Sequence, residues 1–317
     1  MADYLEELQR TEGLTYNMVD VRGVPQNPTF DVAVFSRLID DFVTKDGDVF
    51  ISTYVKAGTT WTQQIVHALL SDAGFPQVGA KYGETVPWLE AAVASEFLGP
   101  REAPGWDIAR IDAAPAPRYF KTHATVEHLP RGHADIKVIY VARNPKDTCV
   151  SLFHHAQSKP EFAYNGDFET FFNIFLAGRA ENGDWFEHCA AWHLACRARP
   201  DTHLFLQYED MVDDPAAAVT SINAFLGRPE LGAEALQRLL QQSSMAHMRV
   251  HACIGLNHLR KGGYGGWRAT FSVEQSELFD EVYVLKMAPL QEELQDKGEL
   301  PLTFNFGPNA RGEACIM

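Results

Sequence analysis

Thr53-Tyr54-Val55-Lys56-Ala57-Gly58-Thr59-Thr60-Trp61 is the stretch from which the fold can be worked out. Ahead of it, Asp48-Val-Phe-Ile-Ser-Thr-Tyr54 is apolar and β-branched, the pattern of a buried strand. Behind it, Thr60-Trp-Thr-Gln-Gln-Ile-Val-His-Ala-Leu-Leu70 places Trp61, Ile65, Ala68 and Leu69 on one helical face. The order is strand, short glycine-containing loop with a lysine, and a helix opening on two threonines. Free N–H groups at the positive end of that helix dipole then lie beside a cation and two hydroxyls, a site suited to phosphate or sulfate. A Walker A loop, G-x-x-x-x-G-K-[ST], cannot be matched here. Taken alone, the stretch fits an ordinary strand-to-helix turn equally well, with Thr59 as a simple N-cap.

The 317 residues suffice for one large α/β domain, and 46% hydrophobic content supports a sizeable core. A formal net charge of −15 disfavours nucleic acid, anionic membrane and polyanionic sugar as partners, so any anion site must be locally basic. Five cysteines, an odd number without a C-x-x-C pair, suit a reducing compartment and free thiols better than disulfides or zinc. The sequence has no signal-peptide pattern and no run near the roughly 20 apolar residues of a membrane span, so a cytoplasmic protein is expected.

Along the chain, residues 2–10 read as a short acidic helix. Phe30 to Phe42 is amphipathic, with Val32, Phe35, Leu38 and Phe42 on one side. Residues 72–117 are rich in Gly, Pro and Ala and too long for an inert connection, which marks an acceptor-site loop or lid. Strands are expected at Arg118–His123, Asp135–Arg143 and Thr202–Tyr208. Helices are expected over 146–157, 168–178, 183–199, 214–226, 231–242 and 273–294. Strands that are near-continuous apolar runs, alternating with helices, imply a parallel sheet covered on both faces. Ligands of such sheets bind beyond the carboxyl ends of the strands. Lys56, His123, Arg143 and Tyr208 all fall at or just past such ends. One domain over 1–317 is expected, with a core of about 45–297 and a C-terminal tail of 298–317.

The residues at these ends carry the chemistry. A lone histidine among 12 is more often structural than catalytic. His123, however, follows Lys121, whose charge disfavours the imidazolium and keeps the ring able to accept a proton. Arg143 and Ser151 flank a strand-to-helix turn and form a second candidate phosphate site. Arg260-Lys261-Gly262-Gly263 puts two cations on a loop whose backbone can approach an anion closely. Each element has a bland alternative as a solvated surface group. Their concentration at strand ends, in so acidic a chain, favours function.

With those residues in hand, the sequence resembles the cytosolic PAPS-dependent sulfotransferase family. Tyr54-Val-Lys-Ala-Gly-Thr-Thr-Trp61 is similar to the family's 5′-phosphosulfate loop, and Lys121-Thr-His123 to its K-T-H segment. Tyr140-Val-Ala-Arg-Asn-Pro-Lys-Asp147 through Ser151 resembles its 3′-phosphate element, and Tyr208-Glu-Asp-Met211 its Y-E-D-M. Arg260-Lys-Gly-Gly-Tyr-Gly-Gly-Trp-Arg-Ala-Thr-Phe271 resembles R-K-G-x-x-G-D-W-K-x-x-F. In this chain Val55 and Ala57 replace Pro and Ser, Met245 stands where an aromatic usually stacks, and Gly266 replaces Asp.

The resemblance implies a P-loop-NTPase-like α/β fold and sulfonyl transfer from PAPS to a hydroxyl, less readily an amine, with PAP as product and no metal. It implies His123 as base, with Lys56 and Lys121 assisting. Gly58, Thr59 and Thr60 are implied around the 5′-phosphate. Arg143, Ser151, Arg260, Lys261 and Gly262 are implied around the 3′-phosphate, and Trp61, Tyr208, Ser243 and Met245 around adenine. Trp88, in Val86-Pro-Trp-Leu-Glu90, and His155 are implied in the acceptor pocket, which fits a small, largely apolar phenol, sterol or alcohol. Arg268 to Glu277 is similar to the family's dimer motif and implies a homodimer. Two other classes stay open. One is a small-molecule kinase, which would need a full Walker A loop and a Mg²⁺-binding carboxylate. The other is a catalytically silent nucleotide-binding protein.

Overall fold

The computed structural model describes residues 14–71, 86–93, 108–130, 135–251, 262–308 and 314–316. The expected helix at 2–10, most of the 72–117 loop, and Arg260 and Lys261 lie outside the described residues.

Four parallel strands form the centre: β3 (Val49–Thr53), β4 (Tyr119–Thr122), β5 (Lys137–Ala142) and β6 (His203–Gln207), in the order β4-β3-β5-β6. Both faces are covered, as the continuous apolar runs require. In β5, Val138 and Tyr140 face one core together with Phe50 and Phe120, while Ile139 and Val141 face a second together with Val49 and Ile51. Register pairs Ser52 with Thr122 and Thr53 with Val141, so the carboxyl ends of the strands finish level.

The helices that matter for the site are α2 (Thr59–Leu70), α5 (Pro145–Ser158), α6 (Phe168–Leu176), α7 (Trp185–Ala198), α8 (Tyr208–Asp213) and α12 (Val273–Asp296). The intervening helices are α1 (Val32–Asp41), α3 (Leu89–Val93), α4 (Ile108–Ala113), α9 (Pro215–Phe225), α10 (Ala233–Gln242) and α11 (Met245–His251). Local chemistry sets their starts. Asn144 caps α5 by accepting from Asp147 N–H, and Pro145 occupies its first turn. Ser272 and Gln275 close a capping box at α12. Beneath the sheet the buried Arg118 and Asp48 pair at 2.5 Å, tying the starts of β4 and β3 together.

Three features depart from the expectations. Val32 is 40% exposed and does not join the buried stripe of Phe35, Leu38 and Phe42, because Asp31 caps α1 there and Val32 is its first residue. A hairpin, β1 (Val19–Val21) and β2 (Val24–Gln26), precedes α1. The segment expected as a tail contributes buried Leu302, Phe304 and Phe306 to the larger core, and β7 (Asn305–Pro308) pairs with β8 (Ala314–Ile316).

Candidate active site

The loop after β3 turns through an uncommon backbone. Lys56 adopts φ 70° and Gly58 φ 104°, both in the left-handed region. Gly58 occupies the N-cap position of α2 and Thr59 is the first helical residue, so Thr59 is not the cap. A Cβ at Gly58 would fall 2.7 Å from Tyr208 Cδ2, so only glycine fits between the loop and that ring. Tyr208 meets Trp61 edge-on at 6.0 Å and lies beneath the Arg143 guanidinium at 4.7 Å. Arg143 donates to Lys56 O and Gly263 O, and is thus fixed between the phosphate loop and the glycine-rich loop. The buried Nε of Arg143 and indole N–H of Trp61 have no partner among the described residues, leaving two donors for an acceptor-rich ligand. A Cβ at Gly262 would come 3.0 Å from Met245 Cε, so α11 and the glycine-rich loop meet there.

Of the remaining residues expected around the nucleotide, Ser243 is buried at the end of α10 and Thr60 is half-buried in the first turn of α2. Thr59 Oγ1 lies 2.6 Å from Thr53 Oγ1. Ser151 sits well inside α5 and is not a hydrogen-bond partner of Arg143, whose guanidinium turns toward the two loops instead.

His123 follows β4 and is buried. Its Nδ1 is 2.9 Å from Thr53 O, and a carbonyl only accepts, so Nδ1 carries the proton and the Nε2 lone pair is left to act as a base. Its pKa lies well below the usual histidine value. Burial is the main cause, with the Lys121 charge second, which reverses the weight placed on Lys121 from sequence. Lys121 stands 4.0 Å from the Trp88 ring centre, and Trp88 in turn meets the His123 ring edge-on at 5.8 Å. Lys56 and Lys121 are half-buried and each is lowered to about 8, chiefly by desolvation.

Several residues given no role from sequence hold these groups in place. Glu90 Oε1 accepts from Thr122 Oγ1 at 2.7 Å and from His123 N at 2.8 Å, fixing the K-T-H segment. Glu209 Oε1 accepts from Asn144 N and Nδ2, both at 2.9 Å, and Asp147 accepts from Gly265 N and Trp267 N. That network joins β5, α5, α8 and the glycine-rich loop. Glu90 and Glu209 belong to quoted motifs, which was the available signal. Glu181, in the α6–α7 turn, lies 3.6 Å from His155 Nε2 and belongs to no motif.

The phosphate loop, the buried imidazole and the guanidinium thus meet at the level ends of a parallel sheet. The chain is similar to known proteins. The sulfotransferase domain family model matches residues 46–291. Sulfotransferase 1A1 of Canis lupus familiaris is 32% identical over 283 residues, 84% of this chain and 92% of that protein. Sulfotransferase 1B1 of Mus musculus is 32% identical over 269 residues, 79% of this chain and 86% of that protein. The solved structure of mouse sulfotransferase SULT7A1 complexed with PAP shares the fold, with a TM-score of 0.70 and 24% identity over 88% of this chain and 99% of that one. A family match over most of the chain, joined to relatives at this identity and coverage, leads to one conclusion: the chain belongs to the sulfotransferase family and is an enzyme of sulfonyl transfer.

Proposed function

We propose that the protein transfers the sulfonyl group of PAPS to a hydroxyl of a small, largely apolar acceptor, with PAP as product, His123 as general base and a cytoplasmic location. The observation that carries this reading is the meeting of Lys56, His123 and Arg143 at the carboxyl ends of β3, β4 and β5. The orphaned donors of Trp61 and Arg143 and the close approach at Gly58 fit an anionic nucleotide. The acceptor O–H proton passes to His123 Nε2 as its oxygen bonds to sulfur. The bond from sulfur to the 5′-phosphate breaks, and its electron pair stays on that phosphate. Lys56 and the N–H groups opening α2 stabilise the charge gathering there, and Lys121 holds the sulfonyl oxygens. Arg143, with Arg260 and Lys261, binds the 3′-phosphate. Trp61, Tyr208 and Met245 enclose adenine, and Trp88 and His155 line the acceptor pocket.

Calorimetric titration with PAP and, separately, with Mg-ATP tests the reading. Tight PAP binding with little response to ATP is expected, and a preference for Mg-ATP would overturn it in favour of a kinase. The pH dependence has a definite sign. Below about 8, Lys56 and Lys121 are protonated both free and bound, and affinity does not change with pH through them. Above that value the free protein loses protons that the bound anion retains. Affinity then falls by up to about tenfold per pH unit for each lysine. A flat profile from pH 7 to 10 would remove the lysines from the binding site.

A homodimer through residues 268–277 belongs to the same proposal. Val273 is 69% exposed within that segment, while Phe279, Val282, Tyr283, Met287, Leu290 and Leu294 of the same helix α12 are buried. Val273→Glu should convert a dimer to monomers in light scattering. An unchanged mass would place any interface elsewhere.

A further inference from the structure

Glu181 lies in the turn between α6 and α7 and its side chain is 4% exposed. Its Oε2 has no hydrogen-bond partner among the described residues, and His155 Nε2, at 3.6 Å, stands just beyond hydrogen-bond reach. The turn that carries it is clamped to the catalytic elements. Asn182 N donates to Pro25 O at 2.8 Å, and Asn182 Nδ2 lies 3.4 Å from His123 O. Gly183 O accepts from Tyr54 Oη at 2.8 Å, which fixes the turn to the residue that follows β3. The carboxyl group interacts through space with both Lys121 and Lys56 and takes a side-chain hydrogen bond from Asn27, which leaves Oε2 as its unmatched oxygen. A carboxylate therefore sits among the candidate acceptor-pocket residues, held rigidly and with an open lone pair. Burial raises its pKa to about 7 although two ammonium groups act against that shift.

A buried acceptor left unmatched costs its lost solvation, more when charged. An acceptor molecule that satisfies it recovers that energy, and one that is apolar at this point does not. Sites built in this way discriminate strongly against analogues that lack the matching donor.

We infer that Glu181 selects acceptors carrying a second hydrogen-bond donor, a hydroxyl or an ammonium, remote from the oxygen that is sulfonated. The inference rests on the sulfotransferase reading and narrows its acceptor class from apolar phenols to bifunctional ones. The competing role is that Glu181 only offsets the charge of the two lysines, in which case its loss would affect all acceptors alike.

Three phenols of one skeleton separate these roles: 4-ethylphenol, 4-(2-hydroxyethyl)phenol and 4-(2-aminoethyl)phenol. In the intact protein the hydroxyl or amine compound should exceed 4-ethylphenol in kcat/KM by about tenfold or more. Glu181→Met should abolish or invert that ranking. Glu181→Gln should keep a hydroxyl preference but lose an ammonium preference, which tells the two donors apart. A preference for 4-ethylphenol in the intact protein, or an equal change for all three phenols in Glu181→Met, would overturn the inference. Calorimetric binding of the three phenols in the presence of PAP gives the same ranking without turnover, and equal or absent binding also counts against it. Failure of the sulfotransferase reading is distinct: it is an absence of both PAP binding and sulfonation of any phenol.

Discussion

Replacing His123 with alanine is expected to lower kcat by about 10²–10⁴-fold while PAP affinity stays within a few-fold of the intact protein. The geometry separates the two readouts. His123 Nδ1 is committed to the Thr53 carbonyl, so the ring has one defined tautomer and one orientation for its Nε2. Its depressed pKa favours the neutral ring, so the group proposed as base is ready to accept a proton. The same depression makes the free imidazolium unfavourable. The proton it receives must be stabilised by the negative charge of the sulfonyl and phosphate oxygens that arrive with the nucleotide. The nucleotide itself is expected at Gly58, Arg143 and Tyr208, on elements that survive the substitution. A variant that folds, binds PAP and still turns over at more than a tenth of the normal rate would show that another group takes the proton. His188 is the neighbour to examine then, although its Nδ1 faces Tyr140 Oη at 2.9 Å and its pKa is lowered to about 4 by burial.

Much of this site was legible in the sequence, for identifiable physical reasons. Strands buried on both faces must be continuously apolar, and such runs at 48–54, 135–143 and 202–208 announced themselves. Once the sheet is parallel, its ligand end follows, and Lys56, His123, Arg143 and Tyr208 fall there together. What sequence could not supply was contact across the chain. The β1–β2 hairpin turns on Arg22-Gly23, with φ values of 55° and 87°, and arginine gives no turn signal at such a position. Phe304 and Phe306 enter the core through partners such as Trp267, whose indole donates to Phe306 O at 2.9 Å, and no local periodicity foretells that. Glu181 lies in an aperiodic turn, where only the packing of β2 and β3 against it reveals its surroundings. The direction of the Arg143 side chain was hidden for a related reason. Sequence placed both beside one helix start, whereas the guanidinium is drawn across to two other loops.

Removing the Lys56 ammonium should produce the second large loss, about 10²–10³-fold in kcat/KM, and unlike the His123 substitution it should also weaken PAP binding. The position allows charge and backbone to be separated. Lys56 is a non-glycine residue at φ 70°, a conformation that costs an L-residue about 1–2 kcal/mol. The loop imposes it: Lys56 O accepts from Arg143, and Ala57 N donates to Tyr54 O at 3.2 Å. Strain held in the loop proposed to bind phosphate, with an ammonium whose pKa is lowered to about 8, is the arrangement expected of a cation kept poorly solvated for an incoming anion. Lys56→Gly relieves the strain and Lys56→Ala retains it, so the glycine variant should melt higher than the alanine variant. Both lose the same ammonium, and both should therefore lose the same catalytic factor and bind PAP equally weakly. If activity instead followed melting temperature, with the glycine variant partly active, the loop conformation rather than the charge would be the source of the effect. If either variant kept activity within about threefold of the intact protein, stabilisation of the leaving phosphate would have to come from the N–H groups opening α2.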